Sequence, residues 1–538
     1  MLRSIGLVTG LALLLVACGG GGGPPPAFTV GGVVSGLASA GLVLRDNGGD
    51  DLPVAADGAI VFPNKIASGA TYSVTVFTQP TSPAQTCVVT HGSGTMGSND
   101  VANVAVSCTG GYTIRGTISG LQGSGLVLQF SDPGTGCGPG CGYGGHAHPG
   151  HNVGPPLQIT SNGPFTIVES PPTVSTVLIA VISQWPTPYQ SCLVRYPVNL
   201  QARNVTDIEV GCSQFAYVAN AGNNTVSAYT VDATSGALAA VGTPVKTGMS
   251  PHAIAETPER TFVFVANEGS NDISAFAVNF VSGALTPVPG SPFPAGTAPR
   301  ALECDGGVLY VANAGTDTVS AYGIDNTGAL TSQGTFTTGK GPSSILQLGP
   351  QILYVANNGG SDDISAFLIN PNYQTGTDFL SPVSGSPFPA GGNPVSLAVV
   401  DTFLYSANPD ATNPSISGFS IDISSGVLTP LSGSPFPLPV SHNIATDNAF
   451  HLYVTSGANV LGYGIDATTG APTPLPGFPV FAGANAYSIT IENEQFLYVA
   501  DDGAANVAAF RIDATGSLTP IAGSPFAAGN HPESIATF

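Results

Sequence analysis

Residues suited to acid–base chemistry recur at one position of a phrase that is repeated in the second half of this chain. The phrase has the form x-Pro-x-x-Ile, as in "SPHAIA" from Ser250 to Ala255. The residue after the Pro position changes from copy to copy, in the order His252, Arg300, Ser343, Val395, His442, Tyr487 and Glu533. An imidazole can act as a general base, and a carboxylate can orient that imidazole. A guanidinium can bind an anion through two parallel hydrogen bonds. We therefore take His252, Arg300, His442 and Glu533 as candidate catalytic residues.

This column is rich in residues that are otherwise scarce. Residues 214–538 contain only five Lys and Arg and four His, and one Arg and two His fall in the column, with His531 two residues before Glu533. If the repeated strands meet around one axis, these side chains form a polar pocket with cationic character inside an acidic protein. The alternative is that they only satisfy one another and water at the rim of the fold.

A second group of candidate ligands lies in the stretch "CGPGCGYGGHAHPGHN". Cys137, Cys141, His146, His148 and His151 fall within fifteen residues, and thiolates and imidazoles are ligands that zinc and copper accept. The spacing matches no standard zinc finger, and the many glycines leave the ligands poorly organised. A disulfide between Cys137 and Cys141 is the favoured interpretation, with zinc or copper as the alternative; equilibrium dialysis against either metal distinguishes the two. No other cofactor is expected.

Composition favours an all-β protein and excludes some partners. The chain has 538 residues, with 32 Asp and Glu against 11 Lys and Arg. Nucleic acid is not an expected partner, because phosphate binding needs clustered cations. Only 8% of residues are charged, while Gly (71) and Pro (46) are abundant, which suits short strands joined by tight turns.

The start of the chain predicts export and a lipid anchor. Arg3 is followed by an apolar run from Ile5 to Val16, which is too short to span a membrane and is typical of a secretory signal. Leu15 to Cys18 ("LVAC") resembles the lipobox of bacterial lipoproteins, which implies cleavage after residue 17 and acylation of Cys18. Gly at position 19 implies sorting to the outer membrane in that family, so the membrane is an expected partner through Cys18. Residues 18–26 ("CGGGGGPPP") then form a linker.

Two related segments follow the linker. "FTVGGVVSGLASAGLVL" from Phe28 and "YTIRGTISGLQGSGLVL" from Tyr112 match closely, so we predict tandem β-sandwich modules over 27–109 and 110–213, the second carrying the Cys/His insertion. Each copy ends with a cysteine pair, and in an oxidising compartment we expect disulfides between Cys87 and Cys108 and between Cys192 and Cys212.

The remainder, 214–538, repeats one four-strand unit seven times. Its core phrase, "YVAN" or a relative, ends at Asn220, Asn267, Asn313, Asn357, Asn408, Ser456 and Asp501. Each copy continues with a turn, a strand such as "TVSAYGID", a short "GALTP" phrase and then the x-Pro-x-x-Ile strand. Four strands in a period of about 46 residues are typical of a β-propeller. The first copy lacks its own x-Pro-x-x-Ile strand and the chain ends with a spare one, "HPESIATF", so the tail should close a seven-bladed ring.

The repeated phrase "YVAN…VSAY.ID…G.LTP..GSPFPAG" resembles that of YVTN-repeat or lactonase-like seven-bladed propellers, which include the 6-phosphogluconolactonase family. The resemblance covers Phe215 to Phe538 and implies the fold. The enzymes of that family carry Pro-Arg-His or Pro-His phrases on their inner strands, whereas here Pro299-Arg300 is followed by Ala301.

Two functions are therefore predicted for this chain. The first is an exported, lipid-anchored binding scaffold that takes a small molecule or a surface protein at the propeller rim. The alternative is a hydrolase that opens a lactone or similar ester at the mouth of the channel. A hydrolase needs a base and an oxyanion stabiliser within reach of one point, whereas a binding module needs only a shaped rim.

Overall fold

The computed structural model describes residues 25–37, 40–81, 85–110, 112–123, 125–131, 157–169, 178–184, 190, 192–195, 205–305, 307–370, 379–410, 412–439 and 442–537. Every regular element among them is a β-strand, and none of the described residues forms a helix that is long and apolar enough to cross a membrane. The expected all-β class is confirmed. Cys18 and the insertion with Cys137, Cys141, His146, His148 and His151 lie outside the described residues.

From residue 214 onwards the described strands form seven antiparallel sheets, each with four main strands. The seven sheets are the blades of a ring. We number them blades 1 to 7 in chain order by their second strand. The innermost strands are Pro532–Thr537, Pro251–Glu256, Pro299–Cys304, Pro342–Leu348, Ser396–Val400, Ile444–Thr446 and Ala486–Glu492. The second strands are Gln214–Asn220, Phe262–Asn267, Val308–Asn313, Ile352–Asn357, Phe403–Asn408, His451–Ser456 and Phe496–Asp501.

The outer half of each blade follows the same order. The third strands are Thr225–Val231, Asp272–Val278, Thr318–Ile324, Asp363–Ile369, Ser415–Ile421, Asn459–Ile465 and Asn506–Ile512. The outer strands are Leu238–Ala240, Leu285–Pro287, Leu330–Thr337, Leu380–Pro382, Leu428–Pro430, Pro472–Pro474 and Leu518–Pro520. In five blades a two-residue strand also pairs with the third strand: Val245–Lys246, Phe293–Pro294, Phe388–Pro389, Val480–Phe481 and Phe526–Ala527.

The carboxy-terminal strand closes the ring, as the split repeat predicted. Pro532–Thr537 pairs antiparallel with Gln214–Asn220, with Val218 opposite Ile535. The end of the chain therefore supplies the innermost strand of the blade that begins the propeller. This pairing removes the open edge that the first blade would otherwise present.

The conserved phrase of the repeat explains how the blades are built. The Asn that ends the second strand is fully buried, and its amide donates to a serine hydroxyl of the third strand, as from Asn220 to Ser227 (3.0 Å). The tyrosine of the same strand reaches the next blade: the Tyr217 hydroxyl donates to the carbonyl of Gly283 (2.9 Å), and Tyr498 donates to Gly236 across the closing seam (2.8 Å). Since buried polar groups need partners, these residues fix both the blade and the angle to its neighbour.

The strands before the propeller form two pairs of sheets with similar strand order. The first pair consists of Gly58–Val61, Val30–Ser35, Val101–Gly110 and Gln85–Thr90 in one sheet, and Asp50–Val54, Leu42–Asp46, Thr71–Thr78 and Ser93–Thr95 in the other, with a ribbon of Ala27–Phe28 and Ile66–Ala67. The second pair consists of Gly163–Glu169, Tyr112–Ser119, Val205–Gly211 and Leu193–Arg195, and of Leu157–Ile159, Leu126–Ser131 and Leu178–Gln184. Disulfides join Cys87 to Cys108 and Cys192 to Cys212.

Packing divides the chain into two compact units. The described residues before Arg115 make up most of one, and those from Arg115 onwards make up most of the other. Within the second unit, hydrogen bonds join the propeller to the residues that precede it in the chain. Arg260 Nη1 donates to the carbonyl of Ser213 (3.0 Å), and the Ala233 amide donates to Gln122 Oε1 (3.0 Å). The strands around Cys212 are therefore fixed against blades 1 and 2.

The closing strand should be a major source of propeller stability. Ile535 is 5% exposed and packs between blades 7 and 1 with Phe496 and Tyr498. We expect Ile535→Ala to lower the free energy of unfolding of the propeller by about 2–5 kcal/mol, because the lost methyl groups leave a cavity. The measurement is urea denaturation of the full chain.

Ile423, which is 63% exposed in a turn of blade 5, provides the matched control. We expect Ile423→Ala to change the free energy of unfolding by no more than about 0.5 kcal/mol. Equal effects of the two substitutions would mean that the tail strand is not packed in the ring.

Candidate functional site

Three of the four candidate residues, His252, Arg300 and Glu533, reach one rim of the propeller through irregularities in the innermost strands, whereas His442 precedes the strand Ile444–Thr446. In blade 2 the register moves by one between Pro251 and Ala253, so His252 is the extra residue of a β-bulge. The same shift leaves one residue unpaired in four other blades, namely Arg300, Ser343, Tyr487 and Glu533. A bulge re-aims the side chain of its extra residue. The variable column of the sequence is thus the column that leaves the regular ladder.

The turns between second and third strands share this rim. In blade 2 the Glu268 amide donates to the carbonyl of Ser250 (2.9 Å), and in blade 1 the Ala221 amide donates to the carbonyl of His531 (2.8 Å). Side chains from these turns therefore stand beside the bulge residues. We call the rim formed by the bulge residues and these turns the mouth.

His252 lies between blades 1 and 3 at the mouth. Its Nδ1 is 2.9 Å from the carbonyl oxygen of Arg300, an acceptor, so Nδ1 carries the hydrogen. In the neutral ring Nε2 is then the proton acceptor, and it lies 3.7 Å from Glu533 Oε2. The side chains are 21% and 27% exposed, so both are partly open to solvent. The structure thus brings His252 and Glu533 together, while the Arg300 carbonyl, and not Glu533, accepts the hydrogen bond from Nδ1.

Arg300 forms an ion pair with a carboxylate that sequence reasoning set aside. Its Nε and Nη2 lie 2.9 and 2.8 Å from Glu268 Oε1. Among the described residues Nη1 has no hydrogen-bond partner, and the side chain is 38% exposed. Glu268 thus holds the guanidinium at the mouth while one of its ends stays available to an acceptor.

His442 and Tyr487 form the other side of the mouth. Their ring centroids are 4.5 Å apart at an interplanar angle of 36°, and the Tyr487 ring meets His252 edge-on at 6.5 Å. Beyond them, Asn485 donates to Asp502 Oδ2 (3.2 Å), and Asp502 Oδ1 is 2.8 Å from His531 Nδ1. Tyr487 therefore lies between two groups of polar side chains. One consists of His252, Glu533 and Arg300 in blades 1 to 3, and the other consists of Asn485, Asp502 and His531 in blades 7 and 1, with His442 of blade 6 beside it.

Burial and like charges shift the protonation of these groups. Burial, with Asp502 and Glu268 nearby, raises the pKa of Glu533 to about 7. Burial lowers the pKa of His252 and of His442 below the usual value, which keeps both imidazoles neutral near pH 7. Burial and the charge of Glu533 raise the pKa of Tyr487 to about 12, so the phenol stays protonated and can donate a hydrogen bond.

The structure brings together Glu533, His252 and Arg300 on one side of the mouth and His442 on the other. Ser343 and Val395, which occupy the same column, are not part of either group. The Ser343 hydroxyl donates to the carbonyl of Pro394 (2.9 Å). Glu268 and Asp502 were missed because turn chemistry explained their loops. A comparison of the residue after each core Asn would have found them, since the equivalent positions in blades 1 and 3 are Ala221 and Ala314.

A separate charged cluster lies at the opposite ends of the innermost strands. Arg260 and Glu492 are 5% and 3% exposed, and burial raises the pKa of Glu492 to about 7 although Arg260 acts in the opposite direction. Because Arg260 also donates to Ser213, this cluster fastens the entering chain and takes no part in the mouth. No group of three or more potential metal ligands occurs in the described part of the chain.

Comparison with known proteins supports the fold. A family model described as "Lactonase, 7-bladed beta-propeller" matches residues 191–300. A candidate 6-phosphogluconolactonase from Bacteroides fragilis is 20% identical over 61% of this chain and 98% of its own, with a TM-score of 0.51. The periplasmic gluconolactonase PpgL from Pseudomonas aeruginosa is 16% identical over 60% of this chain and 98% of its own, with the same TM-score.

A search of curated protein sequences finds no match to this chain. The similarity to solved structures is too low in sequence to carry an activity across. It is sufficient for the architecture, because the solved propellers are covered almost completely. The described residues from 214 onwards form a seven-bladed β-propeller, the fold that the description of the family model names.

Proposed function

We propose that the mouth of the propeller hydrolyses a lactone or a similar ester. The observation that carries this proposal is the meeting of His252, Glu533 and Arg300 from three successive blades. His252 offers Nε2 as a base, Glu533 Oε2 stands 3.7 Å from it, and the positive charge of Arg300 is near enough to act on both groups. These are the groups that ester hydrolysis by water requires: a base, a partner for the base and a cationic stabiliser.

Each group has one task in the proposed reaction. Nε2 of His252 takes a proton from a water molecule as the water oxygen bonds to the lactone carbonyl carbon, and the carbonyl π electrons move onto its oxygen. Arg300 and the Tyr487 hydroxyl donate to that oxyanion. When the oxyanion collapses, the bond between the carbonyl carbon and the ring oxygen breaks, and the imidazolium of His252 returns its proton to the ring oxygen. The product is a hydroxy acid, and its carboxyl group then ionises.

Glu268 and Glu533 support this reaction by charge. Glu268 binds Arg300 through Nε and Nη2, which fixes the guanidinium and neutralises part of its charge. The carboxylate form of Glu533 favours the imidazolium that forms on His252. Because Glu268 already occupies two of the three guanidinium nitrogens, the mouth favours a lactone without a phosphate group over a phosphorylated one.

The names of two similar solved structures agree with this proposal. One similar structure is a gluconolactonase and another is a candidate 6-phosphogluconolactonase. The departure at Ala301, where the resembled enzymes carry His after Pro-Arg, means that His252 must serve as the base here. A binding scaffold for a small molecule or surface protein is the competing function, and it needs no turnover.

We also propose that the chain works outside the cytoplasm, anchored to the outer membrane by a lipid on Cys18. The lipobox-like residues 15–18 and the two cysteine pairs support this location, since disulfides persist in oxidising compartments. Loss of the protein from the membrane fraction on Cys18→Ser is the relevant measurement.

Substitution of the base should abolish turnover and leave the fold intact. We expect His252→Asn to lower kcat/KM for a hydrolysed lactone by about 10²–10⁴-fold, because Asn keeps a donor for the Arg300 carbonyl but supplies no base. We expect Arg300→Ala to lower it by about 10²–10³-fold. The measurement is proton release from a panel of five- and six-membered lactones, with urea unfolding as the test of the fold.

His91→Asn and Arg511→Ala are the matched controls, since both residues are exposed, His91 precedes the propeller, and Arg511 pairs with Phe496 at the end of its blade opposite to Asp502. Unchanged hydrolysis by both His252→Asn and Arg300→Ala would refute the assignment. A wild-type chain that binds lactones but turns none over would favour the binding scaffold.

The pH profile gives an independent test. We expect kcat/KM to rise with pH through an apparent pKa of about 7, because Glu533 must ionise to favour the imidazolium of His252. Asp502 is a like charge that raises this pKa, so Asp502→Asn should move the rise to lower pH. Asp401→Asn, in an exposed turn of blade 5, should not move it. An identical profile in Asp502→Asn would contradict the role of Glu533.

A further inference from the structure

The outer edge of blade 3 differs from the outer edges of the other blades. Its outer strand, Leu330–Thr337, pairs with the whole third strand, from Thr318 opposite Thr337 to Ile324 opposite Leu330. In the other six blades the outer strand has three residues. Blade 3 therefore presents an extended strand to solvent where its neighbours present short ones.

The other blades also carry features that prevent pairing with a further strand. The outer strands of blades 2, 4, 5, 6 and 7 each end in proline: Pro287, Pro382, Pro430, Pro474 and Pro520. In blade 1 the short outer strand is followed by the exposed Lys246. Proline and lysine on edge strands block the addition of another strand. The segment "LTSQGTFT" of blade 3 contains neither proline nor any charged residue.

Backbone groups of this strand point away from the blade. The Thr338 amide donates inward to the Asp317 carbonyl, and amides alternate in direction along an antiparallel strand. The amides of Thr335 and Thr337 therefore point outward, and both residues are exposed. Gln333 is the extra residue of a bulge in this strand. The edge thus offers the outward-pointing backbone amides and carbonyls of Thr335 and Thr337 to a further strand.

We infer that the outer edge of blade 3 pairs antiparallel with the same edge of a second copy of this chain, forming a two-fold dimer through a continuous sheet. Identical edges are self-complementary under two-fold symmetry. Charge favours a copy of this edge as the occupant. The chain has a formal net charge of −21, so two copies repel over most of their surface, while an uncharged edge brings no like charges face to face.

The test is the oligomeric state of the full chain by sedimentation velocity over a concentration series. We expect reversible dimerisation that Thr335→Lys weakens at least tenfold, because the substitution places a lysine on each of two facing edges. Thr519→Lys, which adds the same charge at an exposed position of the blade 7 outer strand, should leave the dissociation constant unchanged.

Hydrogen exchange provides a second readout that does not depend on the variants. The amides of Thr335 and Thr337 should gain protection as the protein concentration rises, and the amides of the blade 7 outer strand should not. A chain that stays monomeric at the highest soluble concentration overturns the inference. A dimer that Thr335→Lys and Thr519→Lys weaken equally, or that leaves the amides of Thr335 and Thr337 unprotected, also overturns it.

Discussion

The pairing of Pro532–Thr537 with Gln214–Asn220 is the constraint on which the rest of the propeller depends. It joins the two ends of a chain segment of more than 300 residues, and the hydrogen bond from Tyr498 to Gly236 crosses the same seam. Closure places blades 7, 1 and 2 side by side. Without it Glu533 would not lie beside His252, and Tyr487 would not face His252 across blade 1. The mouth exists because the ring is closed.

Internal repetition made most of this fold predictable. The buried Asn at the end of the second strand recurs in blades 1 to 5, because in each of them it donates a hydrogen bond to a serine of the third strand. The column of His252 and Arg300 is variable because a bulge frees it from the ladder. Variation against a constant background therefore pointed to the mouth. The bulge itself was not predicted, since one extra residue leaves no mark on a short strand.

The carboxylates of the mouth were harder to predict. Asp in a turn is explained by backbone preference alone, so Asp502 gave no signal of its own, and nothing in the sequence related Glu268 to Arg300. Only the three-dimensional arrangement shows that Glu268 meets Arg300 from the next blade and that Asp502 meets His531. Whether side chains of neighbouring blades meet depends on the angle between those blades, and the spacing of the repeats in the sequence does not give that angle. The edge of blade 3 was not predicted either, because the absence of a "GSPFPAG" phrase from its copy does not show that the outer strand extends instead.

Catalysis and simple binding make different demands on the charges of such a mouth. A scaffold for an anion gains most from an unpaired guanidinium, whereas Glu268 here takes up two nitrogens of Arg300. That pairing costs affinity for a fixed charge. The same pairing of Arg300 with Glu268 is useful where negative charge develops on the substrate only during the reaction. A preorganised donor of moderate strength then binds the transition state more tightly than the neutral substrate. The neutral His252 and the carboxyl group of Glu533, with its pKa of about 7, have the same character. The electrostatics of the mouth therefore favour a site that responds to developing charge over one that stores a charged ligand.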